Sequence, residues 1–101
     1  MNLNKVISQL NTAGYNSQDI IDLVDLFLTQ LAEFDINSDI NRFSQQLHKL
    51  KGGLRLLYLE GHLLRVEKIE ENIQINLENS TETLSLIQEI ERDLIKIQQS
   101  F

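Results

Sequence analysis

The chain has no cysteine, no proline and no tryptophan, and only four glycines among its 101 residues. Without cysteine there is no disulfide scaffold, no thiolate zinc site and no cysteine nucleophile, and nothing marks an oxidising compartment. Without proline, and with two glycines adjacent at Gly52 and Gly53, the chain has few points at which a helix must stop. Long helices joined by short loops are therefore expected. No apolar run approaches the ~20 residues needed to cross a membrane. Nor does a long apolar segment follow Met1-Asn2-Leu3-Asn4-Lys5, so no secretory signal is read there and the cytoplasm is the expected location. Cations are scarce too: nine Lys plus Arg face fifteen Asp plus Glu, a net charge of -6. Phosphate backbones repel such a chain, so neither a nucleic acid nor a membrane is an expected partner.

What is present is ordinary for a globular protein: 42% hydrophobic and 24% charged residues. The length fits one domain, residues 1–101, with a core but little room for an enclosed cofactor. Every apolar pattern is helical. Val6, Ile7 and Leu10 define a short first helix from Asn4, which Gly14 can stop in a left-handed conformation. Asn16 followed by Asp19 resembles a capping box for a second helix, with Ile20, Ile21, Val24, Phe27, Leu28 and Leu31 turned inward. The run from Asp35 to Asp39 reads as a turn and a new N-cap. Behind it Ile40, Phe43, Leu47, Leu50, Leu54 and Leu57 recur at alternating steps of three and four, a sustained core stripe. Gly61 marks the next break, and a fourth helix is expected from His62 to Leu77 with Val66, Ile69 and Ile73 inside. Asn79 or Ser80 caps a fifth, carrying Leu84, Ile87, Ile90, Leu94 and Ile97. The expected architecture is all-α: an antiparallel four-helix bundle with a short additional N-terminal helix.

One segment departs from a plain bundle. Arg42 to Arg55 holds four of the nine basic residues and no acidic one. At about 100° per residue, His48, Lys51, Gly52 and Arg55 share a helix face distinct from the Leu47-Leu50-Leu54 stripe. Each glycine inside a helix costs about 1 kcal/mol relative to alanine, so two in the middle of one need a reason. A close approach by another molecule is one such reason. A kink or a tight helix crossing is another, and it suits Gly53, which lies nearer the core side. An accessible imidazole is a good nucleophile near neutral pH, and a neighbouring ammonium suits a phosphoryl group.

His48-Lys49-Leu50-Lys51-Gly52-Gly53 resembles the His-x-Leu-Lys-Gly motif of histidine phosphotransfer (HPt) domains, helical bundles that relay phosphoryl groups in multistep two-component signalling. The resemblance runs from about Ile20 to Glu70 and includes Ile69-Glu70, where the family often has Leu-Glu. It implies that His48 is the phosphoacceptor, Lys51 the phosphate partner and Gly52 the residue that clears the approach. It implies as partners the receiver domains of response regulators and a hybrid sensor kinase. The chain needs no cofactor of its own, Mg²⁺ being expected on the receiver alone. Arg42, Ser44, Gln45, Lys49 and Arg55 are the expected partner-binding residues, although solvation of one helix face accounts equally well for Arg55 and better for Lys49. The family usually has glycine ten residues after the histidine, where this chain has Tyr58, and Gly61 comes three residues later.

Other readings are weaker. His62 has neither a glycine pair nor a following lysine and reads as a helix-end or partly buried histidine. No di-iron Glu-x-x-His pair, His-Glu-x-x-His run, nucleophile elbow or phosphate-binding glycine loop occurs, so a self-contained enzyme and a metal centre are not expected. Glu67, Glu70 and Glu71 read as solubilising charge. The alternative function is a binding module of the same fold that carries no phosphate and sequesters a receiver or kinase, using an apolar rim at Leu56-Leu57-Tyr58-Leu59. A phosphoaccepting domain within a larger kinase is a further possibility. The methionine and short helix ahead of the bundle suggest a free-standing protein, and a monomer is the simplest expectation for a relay that visits two partners.

Overall fold

Six helices and no strand make up the computed structural model of the chain, which describes residues 1–101. They are α1 (Leu3–Thr12), α2 (Ser17–Ala32), α3 (Ile40–Leu56), α4 (Glu60–Glu71), α5 (Ile73–Glu78) and α6 (Thr81–Gln99). The fold is all-helical, with α3 against α4 and α2 against α6 as its main pairings, while α1 lies on α6. The molecule is elongated, 40 × 21 × 18 Å.

Local chemistry explains most of the boundaries. Asn2 caps α1 by accepting from Lys5 N–H. The helix ends where Gly14 turns left-handed at φ +93°, with Tyr15 N–H donating to Leu10 C=O and Gly14 N–H to Asn11 C=O. That double bond pattern is a Schellman closure. Asn16 and Asp19 form the expected capping box on α2. Asp39 caps α3 through Arg42 N–H. The loop before it is held by Gln46, whose carboxamide accepts from Asp35 N–H at 2.7 Å and donates to Asp35 C=O and Ser38 Oγ.

Nineteen buried apolar residues form one core. The α3 stripe is buried at Phe43, Leu47, Leu50, Leu54 and Leu57, but Ile40 lies exposed in the first turn. On α2, Ile20, Val24, Phe27 and Leu31 are buried, and Leu28 packs against them from the margin. On α6, Leu86, Ile87, Ile90, Leu94 and Ile97 face in. Leu84 is exposed and Thr83 is buried in its place, its hydroxyl making no hydrogen bond.

Two boundaries correct the sequence reading. The single fourth helix expected over 62–77 is two helices, α4 and α5, parted at Asn72 (φ −120°, ψ 42°). Asn72 Nδ2 donates to Lys68 C=O, and Asn76 Nδ2 donates to the carbonyls of Asn72 and Ile69. Short amide side chains compete in this way with the helical ladder. The break before α4 is at Tyr58, not Gly61, which lies inside α4. Tyr58 is the one non-glycine residue with positive φ, +57°. Leu59 N–H donates to Leu54 C=O and Tyr58 N–H to Arg55 C=O, a second Schellman closure in which Tyr58 occupies the place Gly14 takes on α1.

At the start of α6 the capping differs from both alternatives in detail. Ser80 stands at the cap position without a side-chain capping bond, and Asn79 Oδ1 accepts from Thr81 N–H and Thr81 Oγ1.

Candidate functional site

The α3 helix runs unbroken through both glycines, so the register that places His48, Gly52 and Arg55 on one face is kept. The two glycines do different things. A Cβ on Gly53 would fall 2.0 Å from Cε2 of Phe27, so residue 53 must lack a side chain for α2 to lie this close to α3. A Cβ on Gly52 would meet nothing within 4 Å. Gly52 is therefore a bare, exposed stretch of helix backbone one turn beyond an exposed His48.

His48 opens onto a shallow depression of about 390 Å³ with Ser44, Gln45, Lys49 and Glu70. Every member is polar or charged, and the wall opposite α3 comes from α4 through Glu70 alone. Arg42, Gln45 and Lys49 edge a neighbouring depression of about 280 Å³ that also takes in Gln30 of α2 and Glu33 just past its end. Lys49 borders a third, of about 150 Å³, between α2 and α3, where Leu23, Leu26 and Leu56 surround Gly53. Of the expected partner-binding residues, Ser44, Gln45 and Lys49 share the His48 depression, Arg42 edges the neighbouring one, and Lys49 is common to all three. Arg55 is exposed on the same face but lines none of these three.

Lys51 is not the free cation that helix spacing suggests. Its side chain is only 16% exposed, and Nζ lies 2.8 Å from Oε1 of Glu70 on α4. Arg42, Lys49 and Arg55 make no ion pair. The sequence offers Glu70 as solubilising charge and as part of the Ile69-Glu70 pair of the resemblance, with no sign of its partner across the helix interface. Spacing along one helix reports neighbours on that helix and says nothing of the next.

The apolar rim also changes. Leu57 and Leu59 are buried and Tyr58 is half-buried, so only Leu56 of that rim is exposed. Leu26 on α2 is its neighbour across the third depression, and both are at least half exposed, 59% for Leu26 and 50% for Leu56. Leu26 falls outside the core periodicity of α2, which is the signal that could have found it.

His62 is elsewhere. It belongs to a second polar cluster, its Nε2 2.6 Å from Oδ2 of Asp93 on α6 with both side chains largely buried. Beside it Arg65 donates to Glu82 and Glu89, binding α4 to α6. The hydrogen bond to Glu82, with that to Glu89, pushes the guanidinium pKa above its already high value, against the opposing effect of burial. His48 and His62 are not brought together, and no group of three or more His, Asp or Glu side chains is placed to hold a metal ion. No helix is long and apolar enough to cross a membrane.

Chemically, the α3 face offers an accessible imidazole, a bare helix backbone beside it, unpaired cations on both sides and one ammonium held against a carboxylate. In comparisons with family models, with curated proteins and with solved structures, the chain matches none.

Proposed function

We propose that the chain is a phosphocarrier of the HPt kind, in which α2, α3, α4 and α6 make an antiparallel four-helix bundle and His48 carries a phosphoryl group between receiver aspartates. One observation carries the reading: the exposed His48 is followed one turn on by Gly52, where nothing stands above the backbone. A second supports it. Position 58, where the resembled family usually has glycine, has a left-handed backbone in this chain although its residue is tyrosine.

In the proposed reaction a receiver domain seats on the α3 face, with Leu26 and Leu56 as an apolar contact and Arg42, Lys49 and Arg55 facing its acidic pocket. Charge complementarity of this sort speeds encounter. The unprotonated ring nitrogen of His48 attacks phosphorus in line. The P–N bond forms as the P–O bond to the receiver aspartate breaks, and the carboxylate leaves. The receiver supplies the aspartyl phosphate and the Mg²⁺ that neutralises charge; this chain supplies the nucleophile and the cations around it. It is a carrier and not a self-contained enzyme. A soluble, cytoplasmic, monomeric relay protein with a hybrid sensor kinase upstream is the setting that suits such a reaction.

The test is transfer from a panel of phosphorylated receivers with Mg²⁺, comparing wild type with His48→Gln. The expected product is an acid-labile, base-stable phosphate on the wild type alone. Tight receiver binding without transfer, unchanged by His48→Gln, would instead establish a sequestering module.

A further inference from the structure

Between α1 and the start of α4 lies a depression of about 410 Å³ that shares no residue with the three on the α3 face. We propose that it binds a small zwitterion with an apolar tail, in its simplest form a free apolar α-amino acid. The proposal is independent of the role of His48.

The lining gives the shape. Val6 and Leu59, both core residues, supply an apolar base, with the half-buried Tyr58 beside them. Gly61 leaves the α4 wall bare: a Cβ there would meet nothing within 4 Å, and neither a turn nor a close packing contact accounts for a glycine inside that helix. Tyr58 holds a left-handed backbone that glycine would adopt without strain, and strain of this kind gathers at ligand sites. The volume falls within the range of small-molecule sites, roughly 300 to 1,000 Å³.

Charge selects the ligand. Of the charged side chains around the depression, Arg65 is taken up by Glu82 and Glu89, and His62 by Asp93. Lys5 on the α1 side and Glu60 on the α4 side make no ion pair, with each other or with any other group. Two carboxylates against one guanidinium at Arg65 add to Glu60 in making the α4 side the acidic one. An anion alone would face Glu60, and a cation alone would face Lys5. A ligand with its carboxylate toward Lys5 and its ammonium toward Glu60 satisfies both, while an apolar side chain covers Val6 and Leu59. Since α1 packs chiefly on α6, such a ligand also ties α1 to α4.

The test titrates isotope-labelled protein with L-leucine and with L-phenylalanine, following the amide signals of Val6, Leu59 and Gly61 by NMR. Saturable shifts in the millimolar range are expected from at least one of the two. The amide of that amino acid keeps the ammonium alone, and its deaminated acid keeps the carboxylate alone. Each should bind roughly 2- to 5-fold more weakly, the range of one exposed ion pair. Glycine, with both charges and no tail, should give no measurable shift. Lys5→Gln should weaken the amino acid by the same factor and leave the amide unchanged, and Glu60→Gln should weaken it and leave the acid unchanged. Both residues are exposed, so the fold should survive, and thermal melts check that it does. Three results would each overturn the proposal: no saturable shift from either amino acid, an acid, amide or glycine that binds as tightly as the amino acid, or substitutions that weaken all ligands alike.

Discussion

Gly53 on α3 lies beneath the ring of Phe27 on α2, so close that a Cβ at residue 53 would come within 2.0 Å of the ring. Phe27 is 3% exposed and belongs to the core, so admitting a Cβ means moving a packed ring. Gly53→Ala gains about 1 kcal/mol of helix propensity but overpacks the crossing at a cost of about 1 to 3 kcal/mol. The net expectation is destabilisation. Gly52→Ala meets no atom and should stabilise by up to about 1 kcal/mol. Urea denaturation of the two variants checks the contrast. If Gly52 clears the approach to His48, the same alanine slows transfer from receivers while it raises stability.

Tyr58 holds a left-handed backbone at a cost of about 1 to 2 kcal/mol. Its half-buried side chain packs against the core, so truncation alone confounds backbone relief with lost packing. Comparing Tyr58→Gly with Tyr58→Ala removes the confusion, since both lose the ring. The glycine variant should be more stable than the alanine variant by about 1 kcal/mol, measured by thermal or urea unfolding.

Thr83 is fully buried in α6 with an unpaired hydroxyl. Burying such a group costs about 1 to 3 kcal/mol, and valine has nearly the same shape without it. Thr83→Val should stabilise the protein by about 1 kcal/mol. A midpoint that does not rise in chemical denaturation would show the hydroxyl to be satisfied.

The two histidines should separate cleanly. His62→Ala strips Asp93 of its partner at the α4–α6 interface and should cost about 1 to 3 kcal/mol. His48→Gln changes an exposed residue and should move stability by less than about 0.5 kcal/mol. The proposed function assigns the opposite order to phosphoryl transfer. His48→Gln abolishes transfer, and a folded His62→Ala retains it.

Much of the fold was legible because its signals are local. The capping pair Asn16 and Asp19, the stop at Gly14, the cap at Asp39 and the stripe from Phe43 to Leu57 each lie within a few residues of what they control. The break at Asn72 was missed because the apolar positions Ile69, Ile73 and Leu77 keep helical spacing across it, while side-chain amides divert the backbone. From sequence, Gly61 marks the turn after α3, whereas in the structure Tyr58 adopts the strained angle. At the site, the exposure of His48 and the openness above Gly52 follow from helix phase alone. The commitment of Lys51 to Glu70, the Leu26–Leu56 neighbourhood and the His62–Asp93 pair depend on which helices adjoin, and no single-helix spacing reports that.

The break at Asn72 has a consequence for the covalent chain. The six residues of α5 include no fully buried side chain, and non-helical residues flank them at Asn72 and Asn79. Whatever severs the backbone should do so there first, because a protease needs an extended stretch and this one holds the core only through the partly buried Ile73 and Leu77. The severed pieces would stay together, for α6 carries its own contacts to α1, α2 and α4. New chain ends could therefore be placed in this segment, and the old ones joined elsewhere, with the α3 face left intact.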